Sequence, residues 1–295
     1  MSTNHALPVG AGWSHWPAPA KLNLFLHIIG RRDDGYHLLQ TVFQLLDWGD
    51  EIALRVRADG RIERGSGAHG VEPEADLTVR AARALQAASG TPLGADIEIA
   101  KSIPQGGGFG GGSSDAATVL LALNHLWRTN LSIEELAAIG LKLGADVPVF
   151  VRGHSAWAEG VGENLTPLAL PERWYLVVDI GIGVPTAELF RAPELTRNTP
   201  SATIADFVSG SLRDNAFAPV LRSRAPAIAD ALDRLAAFGA AAVTGTGGGM
   251  FVPFDEPSKA HAAKEALPEN WRAFVVRGVN ESPVFARLRA FDGNA

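Results

Sequence analysis

An α+β fold in two domains is what this sequence predicts, and three observations carry the prediction. The chain has 295 residues, which is long for one hydrophobic core. Its apolar runs switch between strand and helix periods with hairpin-like returns, which favours α+β over a doubly wound sheet. The composition also shifts at "GVGENLTPLALPERW", residues 160–174, where two prolines and a polar cluster interrupt the pattern. The expected domains are residues 17–165 and 166–295.

The elements follow in order. "KLNLFLHII" (21–29) is apolar and reads as a strand; strict alternation puts Lys21, Asn23, Phe25 and His27 on one face and Leu22, Leu24, Leu26 and Ile28 on the other. "GRRDDGYH" is a turn, punctuated by Asp34-Gly35. "EIALRVR" (51–57) alternates Ile52, Leu54 and Val56 as a second strand, and residues 60–75 read as a polar, Gly-rich loop. "DLTVRAARALQAASG" is a helix capped by Asp76 and ended by Gly90, with Leu77, Ala81, Ala84, Leu85 and Ala88 as its apolar face. A strand "IEIAKSI" (97–103) leads into a glycine run, and a helix "SDAATVLLALNHLW" leaves it. "LSIEELAAIGLKLG" opens with a capping box, Ser132 and Glu135. "ADVPVFVRG" turns at Asp146 and Pro148 into an expected strand. The second half reads as strand 174–182, short helix 186–190, helix 225–239, strand 240–245, loop 244–249, strand 250–254, helix 257–267 and strand 271–279.

Composition bounds the function. Hydrophobic residues are 46% and charged residues 20%, an ordinary globular balance. The net charge is −6 with no basic stripe, so no nucleic-acid partner is expected, and an anionic ligand must be held by local backbone and a few side chains. There is no cysteine, which excludes disulfides, thiolate metal sites and a cysteine nucleophile and fits a reducing, cytoplasmic compartment. No run approaches the roughly 18 apolar residues of a membrane span. The first 15 or so residues lack a basic start and apolar core, so they read as a loose leader, not a secretory signal.

The chemistry concentrates in "IPQGGGFGGGSSDAATVLL" (103–121), with six glycines in seven positions. Each glycine disfavours a fixed conformation by roughly 0.5–1 kcal/mol relative to alanine. A strand, a bare Gly-rich turn and a helix opening with Ser113-Ser114 form a phosphate-binding arrangement, because unhindered N–H groups and a helix N-terminus both favour anions. Neither the Gly-Lys-Ser/Thr of a Walker loop nor the acidic partner of a dinucleotide fingerprint accompanies it.

"PQGGGFGGGSSDAAT" (104–118) resembles the P-x-x-x-G-L-G-S-S-A-A motif of the GHMP kinase superfamily, which includes galactokinase, homoserine kinase and mevalonate kinase. With "APAKLNLFLHIIGRRDDGYHLLQTVFQLLDWGD", "GADVPVF" and "VPT", the chain resembles the 4-diphosphocytidyl-2-C-methyl-D-erythritol kinase family from about residue 17 to its last strand. The resemblance implies a ribosomal-protein-S5-like N-terminal domain and a ferredoxin-like α+β C-terminal domain with the site between them. It implies transfer of the ATP γ-phosphate, with Mg2+, to the 2-hydroxyl of the cytidine diphosphate-linked methylerythritol, in the non-mevalonate isoprenoid route. Lys21 and Asp146 match the family's catalytic pair. A carboxylate accepts the alcohol's proton, and an ammonium keeps that carboxylate ionised. ATP falls to Pro104, Gln105, Gly106, Gly107, Gly108, Phe109, Gly110, Gly111, Gly112, Ser113 and Ser114. Lys101 either reaches the nucleotide or is a surface charge.

For the acceptor, the family pattern makes Tyr36 stack on the cytosine and His37 hydrogen-bond it; a neutral imidazole both donates and accepts. Asn23 shares the face of Lys21 and is assigned to the acceptor, and Thr186 and Phe190 to the far side of its pocket. Asp115 in the helix's first turn either contributes to magnesium binding or complements the helix dipole; the dipole reading is preferred. "TGTGGGMF" (244–251) resembles the second glycine loop of these kinases, as a hairpin turn, a ligand contact or both. Two rival readings remain: a GHMP kinase for another small alcohol, which should lack "GYHLLQT", and a non-catalytic RNA-binding module, which the charge disfavours. Oligomeric state is left open.

Overall fold

The structure, a computed structural model, describes residues 6–292. Its first half contains β1 (Trp13–Arg31), β2 (His37–Arg57), β3 (Ile62–Arg64), a single 3-10 turn at Pro73–Ala75, α1 (Leu77–Ser89), β4 (Gly94–Ala100), α2 (Gly111–Leu126), α3 (Ile133–Leu141), α4 (Val147–Arg152), β5 (Ala156–Glu159) and β6 (Asn164–Pro167). The second contains β7 (Trp174–Asp179), α5 (Thr186–Arg191), α6 (Ile204–Val208), α7 (Ala218–Arg224), α8 (Pro226–Leu235), β8 (Ala242–Val243), β9 (Met250–Phe254), α9 (Pro257–Glu265), β10 (Arg272–Val279) and α10 (Pro283–Asp292). Among the described residues, ten strands join in one sheet.

Two long antiparallel strands organise it. β1 pairs with one edge of β2 over nearly its whole length. The other edge of β2 takes β5 at Thr41–Phe43, β10 at Leu45–Leu46 and β4 at Glu51–Arg57 in turn. One apolar core lies between this sheet and α1 to α4, and Val284 of α10 returns to join it. A second core lies between the β7–β9 sheet and α5, α7 and α8, and β1 reaches into it with Leu26 and Ile28. A third, built on Leu22, Leu46, Phe109, Tyr175 and Phe251, joins the two.

The β1 strand does not keep simple alternation. Asn23 pairs with Phe43 and Leu26 with Thr41, so β1 carries one residue more than β2 between those pairs. Such a bulge reverses which side chains face which side. Lys21 and Asn23 face a cavity, and beyond the bulge it is Leu26 and Ile28 that face it. His27 turns away and meets Asp214 at 2.9 Å. The expected grouping of Phe25 and His27 with Lys21 is thereby corrected.

Other departures have local causes. Residues 145–153 contain the helix α4 with its caps, not a strand: Pro148 sits in its first turn, Gly153 closes it at φ 66°, and Val147–Val151 are buried. Proline is tolerated in a helix's first turn, and packing against α2 and α3 overrides the β preference of the valines. The leader is not loose as far as residue 15, because Trp13 already pairs with Arg55, whose guanidinium lies 4.9 Å from the Trp13 ring. Within 60–75, β3 pairs in parallel with β4. On α1 the buried residues are Thr78, Val79, Ala81, Ala82 and Leu85, while Ala88 is exposed. The Ser132–Glu135 capping box forms as expected: Glu135 N–H donates to Ser132 Oγ at 3.3 Å, and Ser132 N–H to Glu135 Oε2 at 2.8 Å.

Candidate active site

The glycine run is held at its entry and at its midpoint. Asp50 Oδ1, at the end of the β2 segment that pairs with β4, accepts from Ser102 N–H at 2.6 Å and Ile103 N–H at 2.8 Å. The buried Phe109 anchors its midpoint in the joining core, and its carbonyl accepts from Lys21 N–H at 3.0 Å. The two glycines on either side of Phe109 have a geometric reason. Gly108 sits at φ 81°, and a Cβ there would collide with the Thr244 carbonyl oxygen. Gly110 sits at φ 77°, where a Cβ would lie 2.8 Å from the Phe150 ring and 3.2 Å from Lys21 Cε. The run therefore lets main chain, Lys21 and the 244–249 turn close on one another. Gly110 is also the N-cap of α2, so the helix's first-turn N–H groups and positive dipole end emerge here.

Cavities flank the run on both sides. One of about 480 Å³ is lined by Lys21, Asn23, Asp146, Ser113, Thr186 and Phe190, among others. The other, about 310 Å³, is lined by Lys101, Pro104, Gln105, Phe109 and Asp115 together with residues of α1 and the 3-10 turn. Gly106, Gly108, Gly110, Gly111 and Gly112 belong to both walls. Gly107 is buried and its carbonyl accepts from Gly249 N–H at 3.0 Å. Ser114 is fully buried, lines neither cavity, and its hydroxyl has no partner among the described residues.

Lys21 and Asp146 come together although they are far apart in sequence. Lys21 Nζ lies 3.4 Å from Asp146 Oδ2; the lysine side chain is 3% exposed and the aspartate 35%. Lys21 arrives on β1, and Asp146 is the N-cap residue of α4 with no capping bond to occupy its carboxylate. The lysine is aimed by a relay: Nζ donates to Asn23 Oδ1 at 2.5 Å, Asn23 Nδ2 to Thr41 Oγ1 at 3.0 Å, and Thr41 Oγ1 to the Phe25 carbonyl at 2.5 Å. Asn23 N–H also donates to Thr244 Oγ1 at 2.9 Å, tying β1 to the second glycine turn. That turn serves packing and lining together: its glycines lie against Gly106–Gly108, and Thr246 lines the cavity.

At the cavity's far end, Thr186 Oγ1 and Thr246 Oγ1 lie 2.8 Å apart. The Phe190 ring stacks on His37, centroids 4.8 Å apart and planes at 26°. His37 Nε2 is buried without a partner among the described residues. Burial, then Arg197 and Arg31, hold the imidazole below its ordinary pKa, so it is neutral at pH 7. Neither Tyr36, which is 65% exposed, nor His37 lines the cavity; His37 adjoins it through Phe190.

Lys101 is not a surface charge. Its ammonium bonds Asp50 and Asp115, the latter at 2.6 Å, and its side chain is 17% exposed. Although burial opposes it, the Asp115 and Asp50 carboxyls hold the lysine above its ordinary pKa. Burial pushes Asp115 up to about 8 against the pull of Lys101. Asp115 thus has a lysine partner that the dipole reading had not anticipated. Asp50 and Thr41 stood inside the quoted N-terminal motif with no role attached; a polar residue amid a buried strand was the available signal.

Residues 76–154 match the GHMP kinases N terminal domain and residues 203–273 match GHMP kinases C terminal. A 4-diphosphocytidyl-2-C-methyl-D-erythritol kinase of Xanthomonas campestris pv. campestris (strain B100) is 60% identical over 279 residues, covering 94% of this chain and 95% of that protein. One from Halorhodospira halophila (strain DSM 244 / SL1) is 60% identical over 279 residues, covering 94% and 96%. A crystal structure of a 4-(cytidine 5'-diphospho)-2C-methyl-D-erythritol kinase aligns with TM-score 0.79 at 35% identity, over 90% of this chain and 100% of that one. The α+β, two-lobed architecture is that of the GHMP kinases. Likeness at this level, running through both halves and across the glycine run, assigns the chain to the 4-diphosphocytidyl-2-C-methyl-D-erythritol kinase family.

Proposed function

We propose that this protein transfers the γ-phosphoryl group of ATP to the 2-hydroxyl of 4-diphosphocytidyl-2-C-methyl-D-erythritol, in the non-mevalonate route to isoprenoids. The observation that carries this reading is a Lys–Asp pair facing the same cavity as a bare glycine run and a helix N-terminus. Phosphoryl transfer needs chiefly positioning and charge stabilisation, and these residues supply both.

The nucleotide fits the run. A Cβ at Gly106 would meet nothing within 4 Å, so space stands open over its main chain, and the first-turn N–H groups of α2 suit phosphate oxygens. In this reading Pro104, Gln105 and Phe109 border the nucleoside side and Ser113 the phosphates. Magnesium is held characteristically by one or two carboxylates plus substrate phosphates. The Ser113 hydroxyl, in the wall of the Lys21 cavity, is the group that would meet it, and it would neutralise charge on the transferring oxygens.

The acceptor hydroxyl lies between Lys21 and Asp146. Its proton passes to the Asp146 carboxylate as the oxygen bonds to the γ-phosphorus. The bond from that phosphorus to the bridging β-oxygen breaks, and ADP leaves. Lys21 offsets the charge gathering on the attacking oxygen, and Asn23 holds the ammonium in place. His37, Phe190 and Thr186 receive the cytidine end, with Tyr36 closing over the base from solvent.

The test is a coupled ADP-release assay with the cytidyl substrate beside mevalonate and homoserine. Turnover only with the first is expected; preference for either of the others discards the acceptor assignment. His37→Ala should raise KM for the cytidyl substrate about ten-fold and leave KM for ATP within two-fold, as loss of one or two hydrogen bonds implies. Since His37 is held below the ordinary imidazole pKa, that substrate's KM should stay flat from pH 8 down to about 6.5 and rise only below it.

A further inference from the structure

A third cavity, about 400 Å³, opens behind β1, within the roughly 300–1,000 Å³ range of small-molecule pockets. Leu24, in the bulge next to Asn23, lines it. Its floor is the face of the β7–β9 sheet that the helices leave open. Arg173, Tyr175, Phe251 and Pro253 stand at alternate positions and so share that face. Leu176, Val178, Met250 and Val252 point the opposite way, into the core under α7 and α8. Phe207, Val208 and Leu212, from α6 and the turn after it, form the lip, and Val208 is 71% exposed.

The charged groups here have one sign, and Gln44 adds to the wall an amide whose Oε1 has no partner among the described residues. Tyr175 is 2% exposed, and its hydroxyl makes no hydrogen bond with any described residue. Tyr175 lines the cavity, so an occupant can supply the partner that its hydroxyl lacks. Arg173 is only loosely matched, its Nε 3.6 Å from Asp255 Oδ1. Arg213 Nε donates to the Gly210 carbonyl at 3.2 Å. No Asp or Glu lines the cavity among the described residues, in a chain of net charge −6. Apolar walls, a phenol donor, two cations with no lining carboxylate and one unpaired amide oxygen suit an apolar anion that also carries a donor group.

We propose that this cavity is a second small-molecule site, distinct from the two beside the glycine run, and that it takes an amphipathic organic anion. The apolar body of the ligand rests on Phe251 and Leu212, and Arg173, Arg213 and the Tyr175 hydroxyl answer its acceptor oxygens. Its occupant touches the bulge that turns Lys21 and Asn23 toward the active cavity. It also touches Ala242 and Phe251, the cross-strand pair at the stem of the 244–249 turn.

The probe is 8-anilinonaphthalene-1-sulfonate, an apolar ring system with one anionic group, titrated into the full-length native protein. The expected result is a saturable rise in emission that excess ATP does not displace. The double variant Arg173→Glu/Arg213→Glu, with KM for ATP unchanged as its check of folding, should weaken binding about ten-fold or more. A crystal of the wild-type protein with the probe should show it against Tyr175 and Phe251. Displacement by ATP, equal affinity in the folded double variant, or density anywhere else overturns the proposal. The crystal decides the matter even where the double variant is unstable.

Discussion

Two lysine–aspartate clusters flank the same glycine run and use the same charges differently. Lys21 has one carboxylate 3.4 Å away, and that carboxylate is 35% exposed to a cavity. Lys101 is clamped between two carboxyls whose side chains are 0% and 5% exposed. The first pair can exchange its partner for a substrate oxygen, because one side of it is open. The second is closed by protein: Asp50 also holds Ser102 N–H and Ile103 N–H, so the triad fixes where the run begins. Charge alone therefore does not mark the reactive pair; an unfilled side does.

The largest effect should come from the open pair. Asp146→Asn removes the proton acceptor while keeping shape, and kcat should fall roughly 10²–10⁴-fold, the usual worth of general-base catalysis. ATP affinity by calorimetry should stay within a few-fold of wild type, and the urea midpoint should fall only modestly, because the Lys21 ammonium that loses its partner at 3.4 Å keeps its bond to Asn23 Oδ1. Near-normal turnover would mean that the hydroxyl's proton leaves by another route, and the contrast between the clusters would fail on its reactive side.

The closed cluster should answer in stability. Lys101→Met leaves two buried carboxyls without their shared cation, and breaking a buried pair in this way costs about 3–5 kcal/mol. Urea unfolding followed by circular dichroism measures it. An unchanged midpoint with a raised KM for ATP would put Lys101 among the nucleotide contacts and leave the molecule with two functional pairs.

Much of this contrast was legible in the sequence, and the illegible part has a physical pattern. Local chemistry read well: the Ser132–Glu135 box, Asp76 and Gly90 at the ends of α1, and the glycine run with its helix are all specified by residues within a few positions. What failed depended on distant partners. Val147–Val151 read as a strand until α2 and α3 pack on them. The alternation of β1 broke at a bulge visible only in its register with β2. Within the site, only the family resemblance pointed to Lys21 and Asp146, and it did not give their separation. Nothing local to Lys101 announces that Asp50, 51 positions earlier, and Asp115, 14 later, will enclose it.

The smallest effect is also the sharpest. Asp115 is pushed up from the ordinary 3.8 to about 8, first by burial, against Lys101 and with Asp50. A carboxyl at that value keeps its proton near neutrality, so its amide analogue should be tolerated: Asp115→Asn should cost about 1 kcal/mol or less at pH 7, the scale of one altered hydrogen bond. The sign with pH is fixed. Between about pH 4 and 8 the folded state retains a proton that the unfolded chain has lost, so the wild type loses stability as pH rises through that window. The asparagine variant has no such proton and its stability profile should be flatter. Urea melts at pH 5, 6, 7 and 8 separate the cases: a loss as large as that of Lys101→Met, with the slope retained, would mean that Asp115 is ionised in the fold and that the buried triad carries an unbalanced charge.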